Sequence, residues 1–320
     1  MRFCGRKGWR AWWPLLAAVS PGLTFAAGDD AAALLGKVAT ATRQLTYSGV
    51  FVYRNGVREE TSRIAHAYES GRPRERIEVL DGSPREVVRE GQEVKCFLPD
   101  EKLLIVERQS SRRGFPAVLP SSLGNLTEYY QVRRGDAGRV AGVDTQGLVL
   151  EPRDGYRYAH EMWVEPGSGL LLKATLIGEK GETLESFAFT QVKIGGPLEP
   201  GALTPRFEEG KVRVRKSDAD DVRDGEMAWS FRQLPPGFRK LNAMKRRSGG
   251  TESLHVVFSD GIAAISVFLE PAEKSVESAT QVGPINIYRR GVERHQAVVM
   301  GEVPMAAVRM LGDGIERRGK

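Results

Sequence analysis

The stretch Gly169-Leu-Leu-Leu-Lys-Ala-Thr-Leu-Ile-Gly178, with Thr183-Leu-Glu-Ser-Phe-Ala-Phe-Thr-Gln-Val-Lys193 behind it, is apolar on both sides of a two-residue period. Leu170, Leu171 and Leu172 are consecutive, and Phe187 and Phe189 flank Ala188. A strand with one wet face alternates apolar and polar residues, whereas a strand covered on both faces does not. Working back towards the N-terminus, runs rich in β-branched and aromatic residues recur at 47–53, 60–68, 74–80, 85–90, 93–98, 102–108, 128–133, 147–152 and 157–164. Gly, Asn, Asp or Pro separate them, and Arg54-Asn55-Gly56, Glu90-Gly91-Gln92 and Glu165-Pro-Gly-Ser-Gly169 have the composition of hairpin turns. An antiparallel meander of roughly eleven strands is predicted.

Two stretches in this half have helical spacing. One runs over 29–45, with Leu34, Leu35, Val38, Ala41 and Leu45 on one face, and the other over about 116–127, with Leu119, Leu123 and Leu126. Two short helices cannot cover both faces of so long a sheet. The sheet either closes on itself or curls into an open barrel that holds the helices, and the second arrangement leaves an apolar concavity able to take a ligand.

From Gly195 the chain turns rich in Gly, Pro and Asp, which marks an interdomain linker. Within it, Lys211-Val-Arg-Val-Arg-Lys216 reads as a basic strand edge or a solvated linker segment. A second pattern follows Trp229 and Leu234-Pro-Pro-Gly-Phe238, with strands at 252–258, 262–270, 284–288 and 295–301 and a short helix from Pro304 to Leu311. The expected division is 1–26, 27–200, 201–225 and 226–318. The class is mainly β, of α+β type, with a large first domain and a smaller α+β second one.

Residues 1–26 carry Arg2, Arg6, Lys7 and Arg10, an apolar run from Ala11 to Val19, and small residues around Ala26. That order is a secretory signal peptide, cleaved after Ala26 or Ala27. Pro14 and Pro21 break the apolar run well short of the roughly 20 residues that span a bilayer. The formal charge of +6 therefore misleads. Residues 27–210 hold 24 basic and 27 acidic side chains, and 211–320 hold 19 and 14, so the positive charge sits in the last third. Once Cys4 has left with the leader, Cys96 has no intrachain partner, and its place in an apolar strand reads as a buried, inert thiol.

No catalytic constellation stands out. His66, His160, His255 and His295 are scattered singly without metal-ligand spacing, Gly167-Ser168-Gly169 is not a nucleophile elbow, and no phosphate-binding glycine loop is present. No catalytic residue, metal or cofactor is assigned. The basic doublets Arg112-Arg113, Lys245-Arg246-Arg247 and Arg289-Arg290 remain as surfaces for acidic groups. In an exported protein these are acidic peptides or phosphorylated lipids rather than nucleic acid.

Several stretches resemble the RseB/MucB family of periplasmic regulators of the envelope-stress sigma factor. They are Tyr47-Ser-Gly-Val-Phe-Val-Tyr-Arg-Asn-Gly56, Glu93-Val-Lys-Cys-Phe-Leu-Pro-Asp100, Phe115-Pro-Ala-Val-Leu-Pro120, Leu234-Pro-Pro-Gly-Phe238, Ser259-Asp-Gly261 with Val267-Phe-Leu-Glu-Pro271, and His295-Gln296 with Gly301-Glu-Val-Pro304. The resemblance implies an open half-barrel similar to lipoprotein carriers and a small C-terminal domain. It further implies a negative regulator in the periplasm that binds the periplasmic region of a membrane-spanning anti-sigma factor. Such a protein shields its partner from site-1 proteolysis and is released by lipid or lipopolysaccharide. On this reading acyl chains lie against Phe51, Leu172, Phe187 and Phe189, and the acidic partner near Arg289, Arg290 and His295. The rival reading is a periplasmic lipid or lipoprotein carrier, and self-association is left open.

Overall fold

The computed structural model describes residues 26–318 except 57, 92, 109–125, 208–209, 211, 217–218 and 249–250. The first helix is α1 (Ala26–Gln44), followed by β1 (Tyr47–Asn55), β2 (Arg58–Glu69), β3 (Arg72–Val79), β4 (Glu86–Glu90), β5 (Glu93–Leu98) and β6 (Leu103–Arg108). A short α2 (Leu126–Tyr129) leads into β7 (Tyr130–Val140), β8 (Val143–Pro152), β9 (Ala159–Val164), β10 (Leu171–Ile177) and β11 (Thr183–Ile194). These eleven strands and β12 (Arg213–Lys216) form one sheet in the order β12-β6-β5-β4-β3-β2-β1-β11-β10-β9-β8-β7. Its two ends, β12 and β7, are not paired with each other, so the sheet is open rather than closed.

The chain starts in the middle of this sheet, at β1, and walks outward to β6. It re-enters at the opposite edge with β7 and returns to lay β11 against β1, with Tyr47 opposite Ile194. Helix α1 lies in the concavity, its buried Ala31, Leu34, Leu35 and Val38 packed with Tyr47, Phe51, Leu148, Met162, Leu172, Phe187 and Phe189. Asp30 pairs with Arg134 of β7 at 2.5 Å and Lys37 Nζ donates to Pro166 O, tying the helix to the sheet domain at its first turns and near its middle. The helix expected at 116–127 falls, apart from Leu126 and Thr127, outside the described residues.

The outer face of the β3–β6 half has its own small core of Val88, Phe97 and Leu104, on which Phe207 and Val212 pack. Arg76 and Glu86, both buried, are hydrogen-bonded to each other there, and Glu86 also accepts from the Arg206 backbone N–H at 3.0 Å. The stretch expected as linker is thus held against the sheet, and within its basic run Arg213–Lys216 pairs with β6 as its one parallel neighbour.

The second domain is a seven-stranded sheet in the order β13-β15-β16-β17-β20-β19-β18. Its elements are β13 (Ala219–Asp221), β14 (Trp229–Phe231), β15 (Arg239–Ser248), β16 (Thr251–Ser259), β17 (Ala264–Pro271), β18 (Ser278–Val282), β19 (Ile285–Val292) and β20 (His295–Gly301). Helix α3 (Met305–Asp313) covers one face and β21 (Ile315–Arg317) pairs with β14. Val256, Ile265, Val267, Ala297 and Val299 meet Ala307, Val308 and Leu311 of α3 in its core.

Candidate functional site

On the concave face, register places the polar side chains of four strands in one row: Tyr47 opposite His66, His66 opposite Glu75, Glu75 opposite Arg89. His66 stacks on Tyr47 at 5.0 Å, and its Nδ1 lies 2.7 Å from Leu45 O. A carbonyl only accepts, so Nδ1 carries the proton. Burial holds this imidazole below its ordinary pKa and pushes the Tyr47 phenol up. Arg89 reaches Glu75 at 3.2 Å. Tyr47 Oη, wholly buried, has no hydrogen-bond partner among the described residues.

Beside this row stand the residues expected to meet acyl chains. Phe189 is edge-on to Phe51 at 6.0 Å and to Phe187 at 6.5 Å, and Leu172 belongs to the same cluster. The four are brought together, and all four are buried with α1 among their neighbours. Cys96, further along the same face, is half-buried, and burial raises its thiol pKa.

The junction between the domains is built on Arg157, which sequence reasoning passed over. Its guanidinium is fully buried and is bonded to Asp154, to Pro236 O, and through Nε to Asp260 Oδ2 at 2.9 Å. It also lies over the rings of Tyr129, Tyr130 and Phe238 at 4.8, 5.5 and 5.3 Å. Asp260 in turn accepts from Tyr130 Oη at 3.2 Å and from the Ile262 and Ala263 N–H groups. A second bridge joins Asn286 Nδ2 to Tyr158 Oη at 2.9 Å. A lone arginine in Gly155-Tyr-Arg-Tyr158 carries no spacing signal. The one hint lies in its partners, Pro236 and Asp260, which belong to two of the stretches that carry the family resemblance, Leu234–Phe238 and Ser259–Gly261.

The residues expected to meet a partner do not converge. Arg289 faces Ser278 and Val298, and that face continues through Phe268 to His255, away from α3. Arg290 lies on the α3 side and donates to Gly312 O and Asp313 O, satisfying carbonyls at the end of that helix. His295 sits edge-on to Trp229 at 4.9 Å and lines a cavity of about 150 Å³ with Met227, Leu254, Leu269, Lys245 and Glu252. Burial and the nearby Arg317 lower its pKa. Among the described residues no cluster of His, Cys, Asp and Glu has the grouping of a metal site.

An open sheet curled around one helix, pinned through a buried arginine to a small α+β domain, defines a two-domain binding protein. The chain belongs to the MucB/RseB family: residues 30–207 match the MucB/RseB N-terminal domain and residues 223–316 the MucB/RseB C-terminal domain. It is similar to the sigma factor AlgU regulatory protein MucB of Pseudomonas aeruginosa, 33% identical over 285 residues and covering 86% of this chain and 87% of that protein. The sigma-E factor regulatory protein RseB of Escherichia coli is 24% identical over 315 residues, with 95% and 97% covered. Among solved structures, the Pseudomonas aeruginosa MucA/MucB complex superposes with a TM-score of 0.73 at 30% identity, over 91% of this chain and 100% of that one. A crystal structure of MucB gives 0.67 at 28%, over 91% and 98%. The chain is therefore a periplasmic, non-catalytic regulatory protein.

Proposed function

We propose that this protein binds the periplasmic segment of a membrane-spanning anti-sigma factor, shields it from site-1 proteolysis, and lets go when a lipid or lipopolysaccharide binds. On this reading it is exported by a leader cleaved after Ala26, residues 27–200 and 226–318 act as the two working domains, and 201–225 connects them. The observation that carries the reading is the likeness, in both domains and over 91% of this chain, to a MucB crystallised in complex with MucA(peri). Lipid can expel a protein partner only if the two bind with opposite preference to two arrangements of the molecule. The Arg157 junction supports such a scheme, because any rotation of the domains must break it. For the partner surface, Arg289 and the cavity beside His295 are the parts of the expected set still available, Arg290 being engaged with α3.

The test is a protection assay. The purified anti-sigma segment is incubated with its site-1 protease, with and without this protein, and lipopolysaccharide is then added. Cleavage should stop in the presence of the protein and resume with the lipid. Equal cleavage in all three mixtures would sink the regulator reading.

A further inference from the structure

The half of the concave face away from α1 offers a second arrangement. Helix α1 packs on β7 and β2, and the register from β2 outward lines up Ile64, Ile77, Val87, Cys96 and Ile105 as successive cross-strand partners. Paired residues share a face, so these side chains form one apolar row across the strands. Ile64 is buried, whereas Ile77, Val87, Cys96 and Ile105 are only partly buried. The partner of Ile105 on the last strand is Arg215, and that of Leu103 is Arg213. Both arginines therefore lie on the concave side, while Val214 and Lys216 share the outer face with Leu104 and Val106. Arg213 and Arg215 are exposed, and neither has a carboxylate at ion-pair distance among the described residues. At about 4.8 Å per strand, Ile77 to Arg215 spans about 19 Å, the reach of a long acyl chain.

Charged residues on an edge strand also keep sheets from pairing with each other, and any charge on either face serves that purpose. Two arginines with no carboxylate partner among the described residues, at the open end of an apolar row on the concave face, ask for more: a straight apolar chain with an acidic group at its end. Arginine forks match phosphate and carboxylate oxygens. We propose that Arg213 and Arg215 hold the acidic headgroup of an amphiphile whose chain lies along Ile105, Cys96, Val87 and Ile77. This inference rests on the lipid-responsive reading above and gives it an address different from Phe51, Leu172, Phe187 and Phe189. It also gives it a route. Strand β12 ends at Lys216, and β13, starting at Ala219, is already paired with β15 of the second domain, with Ala219 opposite Arg246. A headgroup seated on β12 thus acts on the strand that leads directly into the other domain.

The experiment titrates the mature chain with dodecyl phosphate, with dodecyl maltoside as a neutral chain and inorganic phosphate as a headgroup without a chain. Alkylation of Cys96, which lies in mid-row, is followed in parallel. Wild type should bind dodecyl phosphate, which should slow alkylation, and should ignore inorganic phosphate. The double variant Arg213→Gln, Arg215→Gln should lose about tenfold or more in affinity for dodecyl phosphate while binding the maltoside as before. Equal affinity of variant and wild type for dodecyl phosphate, or alkylation of Cys96 unaffected by bound amphiphile, overturns the site. Either result leaves the protection assay to decide the regulator reading independently. Binding of inorganic phosphate as tight as that of the amphiphile would show an anion site without a chain, and would also overturn it.

Discussion

His255 is 8% exposed on β16, with Nε2 3.1 Å from Ser266 Oγ and its ring stacked on Phe268 at 4.2 Å. Burial, and then the charge of Arg246, lower its pKa from 6.5 to about 4. The folded chain therefore binds fewer protons at this site than the unfolded chain between those values. The stabilisation is complete above the unfolded pKa and is lost as pH falls through the folded one, about 3 kcal/mol in all. Urea midpoints measured from pH 7.5 to 4 should fall steeply for wild type and less for His255→Phe. His66, also lowered, accounts for part of the slope that persists. Parallel profiles for the two proteins would refute the assignment. Nothing in Leu254-His255-Val256 announces this: the sequence shows a histidine in a strand, and only the register opposite Phe268 reveals the stacking.

Among the elements, those with an unbroken period were legible. The N-terminal helix, eleven of the twelve strands of the first sheet and the last helix fall where they were expected, all within a few residues except β7, which runs to Val140, seven residues past its expected end, and β8, which starts four residues early at Val143. Strand β15 was missed because a register shift between Lys240 and Asn242 interrupts its alternation, leaving Leu241 exposed beside buried Ala243 and Met244. Strand β12 reads more readily as a solvated segment than as a strand, since all four of its residues are exposed and its partner lies a hundred-odd positions upstream. Turns were legible through glycine, and one of them does more than turn. Gly237, in Leu234-Pro-Pro-Gly-Phe238, has φ +79°, and a Cβ there would come within 2.4 Å of the Tyr129 ring, one of the rings beneath Arg157. Gly237→Ala should cost upwards of about 1 kcal/mol from backbone strain and displacement of that ring. A thermal melt indistinguishable from wild type would contradict the close approach.

For the molecule as a whole, the junction sets the rigidity. Removing the guanidinium with Arg157→Met leaves Asp260 and Asp154 without their cation, a change that costs about 3–5 kcal/mol at a buried pair. The two cores should survive, so the expected outcome is a folded chain whose domains no longer hold a fixed angle. It would show as a larger radius of gyration in small-angle scattering with little change in circular dichroism. An unchanged scattering curve would mean that the Asn286–Tyr158 bridge and the surrounding apolar contacts suffice. The candidate site was half legible at this scale. Pattern identified the concave face and the basic second domain, but the placement of Arg213, Arg215 and Arg157 depends on pairings across roughly a hundred residues, which no local period encodes. The parallel closing strand also governs how the first domain can be completed. Residues 103–108 must wait for residues 213–216 before their free edge is covered. A chain emerging N-terminus first into the periplasm thus carries a bare, pairing-competent margin until most of it has crossed the membrane. A fragment ended at residue 207, where the N-terminal family match stops, would keep that margin permanently and should self-associate through it.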